Sequence, residues 1–140
     1  MTTDETALAT DGVASRPVTA AEARAAVRRL LHEEFCSEAA GTSEDVVLAN
    51  ALLVTSELVT NAIRHGGGLV RFSAHVSDHG LRLAVTDRTR VRPATVPSAN
   101  DAAAMRSGGY GWRLVQRLSS DVAIHPAPGG KTIEVLVPLI

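Results

Sequence analysis

Cysteine, lysine and long apolar runs are all scarce in this chain. Cys36 is the only cysteine in 140 residues. That excludes an internal disulfide and a cysteine-based zinc site, and it suits a reducing cytoplasm. Lys131 is the only lysine, so arginine dominates the positive charge, and the formal net charge is -1. A general basic field for nonspecific nucleic-acid binding is therefore missing. No apolar run is expected to span a bilayer. Met1 to Ser15 has no basic-then-apolar signal pattern, so a cytoplasmic protein is expected. The histidines show no pairing at metal-ligand spacing. No Gly-x-Ser-x-Gly setting for a nucleophile appears, and there is no internal repeat.

What is present begins with Ser56-Glu57-Leu58-Val59-Thr60-Asn61-Ala62-Ile63-Arg64-His65-Gly66. At helical periodicity Leu48, Ala51, Leu52, Leu58, Val59, Ala62 and Ile63 gather on one arc. Glu57 and Asn61 share the polar side, with His65 one turn further on. A carboxamide oxygen is a hard ligand suited to Mg²⁺, and a nearby carboxylate can orient or deprotonate a nucleophile. A solvated helix face with ordinary polar residues gives the same pattern. His65 could orient Glu57 or touch phosphate, and a histidine favoured by the helix dipole accounts for it equally well.

Leu81-Arg82-Leu83-Ala84-Val85-Thr86-Asp87 alternates as a strand and ends its apolar row on a carboxylate. A buried acid needs a donor, and an exocyclic amine such as that of adenine would serve. The alternative is an aspartate leaving the strand into a turn. Ser107-Gly108-Gly109-Tyr110-Gly111-Trp112 then runs into a helical pattern. Such a loop can present backbone N–H groups and a helix N-terminus to phosphate oxygens, though many glycine loops are plain turns.

In this order the three segments resemble the nucleotide-binding boxes of the GHKL ATPase superfamily. The likeness is greatest to the stand-alone anti-sigma-factor serine/threonine kinases and their actinobacterial relatives, and it covers about Thr19 to Leu139. Glu57-Leu58-Val59-Thr60-Asn61-Ala62 followed by His65 is its most specific part. The resemblance implies that Asn61 binds Mg²⁺, that Glu57 acts as base or orients the attacking hydroxyl, and that Asp87 binds the adenine amine of ATP. It further implies that Gly109, Gly111 and the backbone after them, which includes Trp112, hold phosphates. Thr132, in Gly129-Gly130-Lys131-Thr132, would sit beside the adenine aspartate.

The chain departs from the family's pattern at Arg88-Thr89-Arg90, where Thr89 stands in for a small residue, and at Tyr110 and Trp112. The implied partners are an anti-sigma-factor antagonist as substrate and a sigma factor. The resembled regulators often dimerise, and the first helix or a sheet edge offers a surface for it.

The expected fold class is α+β, a two-layer sandwich of a mixed, mostly antiparallel sheet with about three helices on one face. Residues 1–16 read as a flexible tail. Residues 17–140 read as the ATP-binding kinase domain, and by the resemblance its lid is at about 88–107. Thr19 and Glu22 form a capping box opening a helix through Phe35. Gly41 marks a break, and Ser43 can cap the next helix. Strands are expected near 70–76, 81–87, 122–124 and 133–137, the first two joined by Asp78-His79-Gly80. Two motifs lead elsewhere and fail. Gly130-Lys131-Thr132 mimics the end of a Walker A loop, but His125 occupies its first glycine position. His32-Glu33-Glu34 lacks the continuation of a phosphoacceptor box. A nucleotide-gated protein-binding module with little kinase activity is the alternative function, and a structural domain with accidental motifs is the third.

Overall fold

The computed structural model describes residues 12–15, 19–34, 42–93 and 109–139. Helix α1 (Ala20–Glu34) opens on the expected capping box. Glu22 N–H donates to Thr19 Oγ1 at 3.1 Å, and Thr19 N–H donates to Glu22 Oε1 at 2.9 Å. Two N-terminal donors are thereby satisfied reciprocally. Its buried stripe is Ala23, Val27, Leu30 and Leu31, spaced to share one face. Phe35 and Gly41 lie outside the described residues.

Helix α2 (Thr42–Arg64) begins one residue before Ser43, which is therefore inside the first turn and is not the cap. It buries Ala51, Val54, Leu58, Val59 and Ala62. Ile63, expected on the apolar arc, is 47% exposed because it lies at the margin of that face. The Thr55 hydroxyl, fully buried, donates to the Ala51 carbonyl at 2.8 Å, so no polar group is stranded in the helix centre.

One expectation from composition is corrected here. The window Asp45–Arg64 is 20 residues long with mean hydropathy 1.6, enough by length and composition to cross a membrane. Packing supplies another cause for that composition. This helix is touched by α1, by strands of the sheet and by the helix that follows β3 in the sequence. These contacts account for its inner face; 33% of the window is buried, and Val46, Leu53 and Ile63 remain exposed.

The sheet has β1 (Gly12–Ser15), β2 (Leu69–Ser77), β3 (Gly80–Asp87), β4 (Asp121–Ala127) and β5 (Gly130–Val137), in the order β1-β2-β3-β5-β4. Every pairing among these strands is antiparallel, so the mixed sheet expected from sequence is corrected. The tail reading is corrected for residues 12–15, which pair with His75 to Phe72 of β2.

Asp78 and His79 turn β2 into β3 as expected, and Gly80 follows at φ 139°. A side chain at Gly80 would also meet the Val137 carbonyl. Along β3, Leu81, Leu83, Val85 and Asp87 are buried, and along β5, Lys131, Ile133, Val135 and Val137 are buried. These two rows are register partners, so two apolar ladders both end in a charge, Asp87 opposite Lys131. Helix α3 (Gly109–Leu118) packs on α2 and completes the helical layer. Helices and sheet share one core that joins Leu58 and Val59 to Phe72, Leu83, Val115 and Val135.

Candidate functional site

Asp87 is the last residue of β3, and strand alternation points it at the helical layer. It is 4% exposed and closely held. The turn after α2 passes directly over it: a Cβ built on Gly66 would lie 2.7 Å from Asp87 Cγ. That turn is fixed by Gly66 N–H and Gly68 N–H, which both donate to the Ala62 carbonyl. Arg88 N–H in turn donates to the Gly66 carbonyl at 2.8 Å. Only glycine at 66 lets helix and strand come this close. Gly130 performs the same service from β5, since its Cβ would fall on the Asp87 carbonyl oxygen.

Both carboxylate oxygens of Asp87 accept hydrogen bonds. Thr89 N–H donates to Oδ1 at 3.1 Å, and Lys131 Nζ donates to Oδ2 at 2.8 Å. Lys131 Nζ also reaches the Thr89 carbonyl at 3.3 Å. Thr89 therefore contacts both Asp87 and Lys131 through its backbone. Its hydroxyl accepts from Val91 N–H at 3.2 Å.

Thr132 is placed differently from the expectation. It pairs with Thr86, and their hydroxyls are 2.7 Å apart on the face of the sheet opposite Asp87. The residue beside Asp87 is Lys131, because successive strand residues alternate faces.

Glu57, Asn61 and His65 lie along α2 and its C-terminal turn. Glu57 and Asn61 are half-buried, and at four residues apart they stack on one side. His65 is exposed just past the last helical residue, Arg64, with its N–H on the Asn61 carbonyl at 2.8 Å. The start of α3 faces this stretch, and a Cβ on Gly111 would overlap the Glu57 carboxylate. The first turn of α3, which begins at Gly109, thus lies against Glu57. The N–H groups and positive dipole end of a helix N-terminus suit anionic oxygens.

Trp112, expected among the ligand contacts, is 5% exposed and belongs to the hydrophobic core with Val115. Residues three apart on α3 share its inner face, and the ring follows that face. Of the expected lid, residues 88–93 are described, and 94–107 lie outside the described residues.

Lys131 and Gly66 are site residues that motif reading did not assign. Position 66 closes the most specific motif, and its glycine was the available signal. Lys131 was detectable only through the register of β3 with β5.

The positions along α2 form an ordered series. Glu57 and Arg64 are about 10 Å apart along the axis at the usual rise per residue. Asn61 stands between them, and Asp87 is reached just beyond, through Gly66. A buried carboxylate, a carboxamide and a half-buried carboxylate thus follow one another over about the length of a nucleotide. Among the described residues no group of three or more His, Cys, Asp or Glu could hold a metal ion. A cation here would take Asn61 Oδ1 and complete its shell with ligand oxygens and water, as Mg²⁺ does with phosphates. The donor set of Asp87, Asn61 and Glu57 therefore fits ATP with Mg²⁺.

A family model described as a histidine kinase-like ATPase domain matches residues 13–136, from β1 through β5. No curated protein matches the chain.

Proposed function

The chain belongs to the histidine kinase-like ATPase domain family, and we propose that it is an ATP- and Mg²⁺-dependent serine/threonine protein kinase of the cytoplasm. Its substrate would be a hydroxyl on an anti-sigma-factor antagonist, and it would also sequester a sigma factor. ATP binding follows from the family. Supporting the finer reading is the placement of Glu57 and Asn61 on one side of α2 against the first turn of α3.

Bound Mg-ATP supplies the γ-phosphoryl group and neutralises charge on the phosphate oxygens. Asp87 accepts a hydrogen bond from the base amine and fixes one end of the nucleotide. The free N–H groups at the start of α3 hold phosphate oxygens at the other. Asn61 Oδ1 ligates the cation. The Glu57 carboxylate, half-buried and packed against Gly111, accepts the proton of the hydroxyl that attacks the γ-phosphorus as ADP leaves, and orients its oxygen. An intact carboxylate at 57 supports catalysis over simple nucleotide-gated binding, which has less use for a base.

The test is transfer of label from γ-labelled ATP to each antagonist protein encoded by the same organism. Labelling of a serine or threonine on one of them, lost in Glu57→Gln, is the expected result. ATP binding without labelling of any antagonist would favour the nucleotide-gated binding module instead.

A further inference from the structure

Lys131 has no part in the chemistry above, yet its ammonium is buried beside the base acceptor, 4% exposed. Burying an ion pair is a poor way to gain stability, because desolvation of both charges offsets their attraction. The position of the pair is more informative. Lys131 Nζ sits on Asp87 Oδ2 at 2.8 Å, one of the two carboxylate oxygens to which a purine 6-amino group could donate.

We infer that Lys131 is an internal competitor for the base amine and thereby sets the base selectivity of the site; this rests on Asp87 being the base acceptor. Asp87 is the fixed partner: Gly66 packs on its side chain, and Thr89 N–H holds Oδ1 at 3.1 Å. Lys131 is the movable one, a point charge on a flexible four-carbon stem whose other contact is the Thr89 carbonyl at 3.3 Å. An adenine amine therefore gains its bond to Asp87 by giving up a charge-assisted bond from the ammonium. The net contribution of the amine to affinity is small in the native protein. A purine with a 6-oxo group has a different route. Its carbonyl accepts from the Lys131 ammonium, whose remaining protons keep the contact with Asp87. The pair thus presents a donor and an acceptor together, and it accommodates both kinds of purine.

The experiment is a calorimetric titration of ATP and of inosine triphosphate into native protein, Lys131→Met, Lys131→Thr and Asp87→Asn. The two nucleotides differ at position 6 of the base and are otherwise alike. Native protein is expected to bind them within about fivefold of each other. Lys131→Met should bind ATP about tenfold more tightly and inosine triphosphate more weakly, the scale of one charge-assisted hydrogen bond.

Because Lys131→Met leaves a buried carboxylate without its cation, Lys131→Thr keeps a hydroxyl donor there, and the same direction of change is expected. The native ratio of the two nucleotides needs no variant at all. A native preference for ATP of about a hundredfold, the size of a strong hydrogen-bond discrimination, would overturn the inference. Unchanged or weaker ATP binding in both Lys131 variants would overturn it as well. If Asp87→Asn alone weakens ATP binding, the competitor falls and the base acceptor stands. If no variant matters, both fall.

Discussion

At the Asp87 end of the site the carboxylate is 4% exposed, wedged under Gly66, with one hydrogen bond on each oxygen. At the Glu57 end the carboxylate and the Asn61 carboxamide are half-buried, and the carboxylate packs against Gly111. The first end is assembled by the fold and has its geometry before any ligand arrives. The second presents two half-buried groups on one side of α2. The division suits the two tasks that the proposed function gives these ends. Recognising a base needs a rigid acceptor, whereas handling a phosphoryl group needs groups free to engage charge as it develops. Changes at the first end should therefore register as lost stability and affinity, and changes at the second as lost turnover.

Glu57→Gln is the strongest test of the open end. Phosphoryl transfer should fall by about 10²–10⁴-fold, the usual contribution of a general base. ATP affinity by calorimetry and the urea midpoint should stay near native. A parallel loss of stability would show that Glu57 is structural and erase the contrast.

Asp87→Ala probes the built end. It leaves the Lys131 ammonium buried without its counter-charge, and unfolding in urea should show a loss of about 3–5 kcal/mol. Combining it with Lys131→Met should restore part of that loss, since it removes the uncompensated charge but not the gap left by the carboxyl.

The two glycines give a matched pair. Gly66→Ala forces a Cβ into the Asp87 side chain, which cannot yield, and should cost about 1–3 kcal/mol with weaker ATP binding. Gly111→Ala directs its Cβ at a half-exposed glutamate that can swing aside, and alanine favours the helix by up to about 1 kcal/mol. It should melt close to native and yet lose transfer activity. Equal melting losses in the two variants would break the comparison.

The smallest effect is expected at Thr132→Val, which removes the hydroxyl contact with Thr86. A loss of about 1 kcal/mol in chemical denaturation, with ATP affinity unchanged, would follow from its place on the far face of the sheet. Weaker nucleotide binding would return Thr132 to the site.

Legibility from sequence followed the range of each interaction. Glu57 and Asn61 were readable together because four residues bring side chains to one side of a helix. The buried face of β3, Asp87 included, was readable because alternation is local. Thr132 was misplaced by one position, which in a strand is the difference between the two faces. Lys131 was visible as the only lysine, but its pairing with Asp87 was not. Its partner is 44 residues away in sequence, and the pairing of β3 with β5 passes over β4, which lies at the sheet edge. Trp112 drew attention as a bulky residue in a glycine box, yet the apolar face of α3 carries it into the core with Val115. The strand at Gly12–Ser15 is short and sits in a polar stretch, so the edge of β2 defines it more than its own residues do.

The central claim is that this fold holds Asp87 ready as the acceptor for a nucleotide base. Calorimetric titration of ATP with Mg²⁺ into native protein and Asp87→Asn tests it most directly. The account predicts saturable binding by the native protein and an affinity lower by about threefold or more in the variant, less than a full hydrogen bond because the amine's bond to Asp87 replaces one from Lys131. Equal affinity in the two proteins would contradict it.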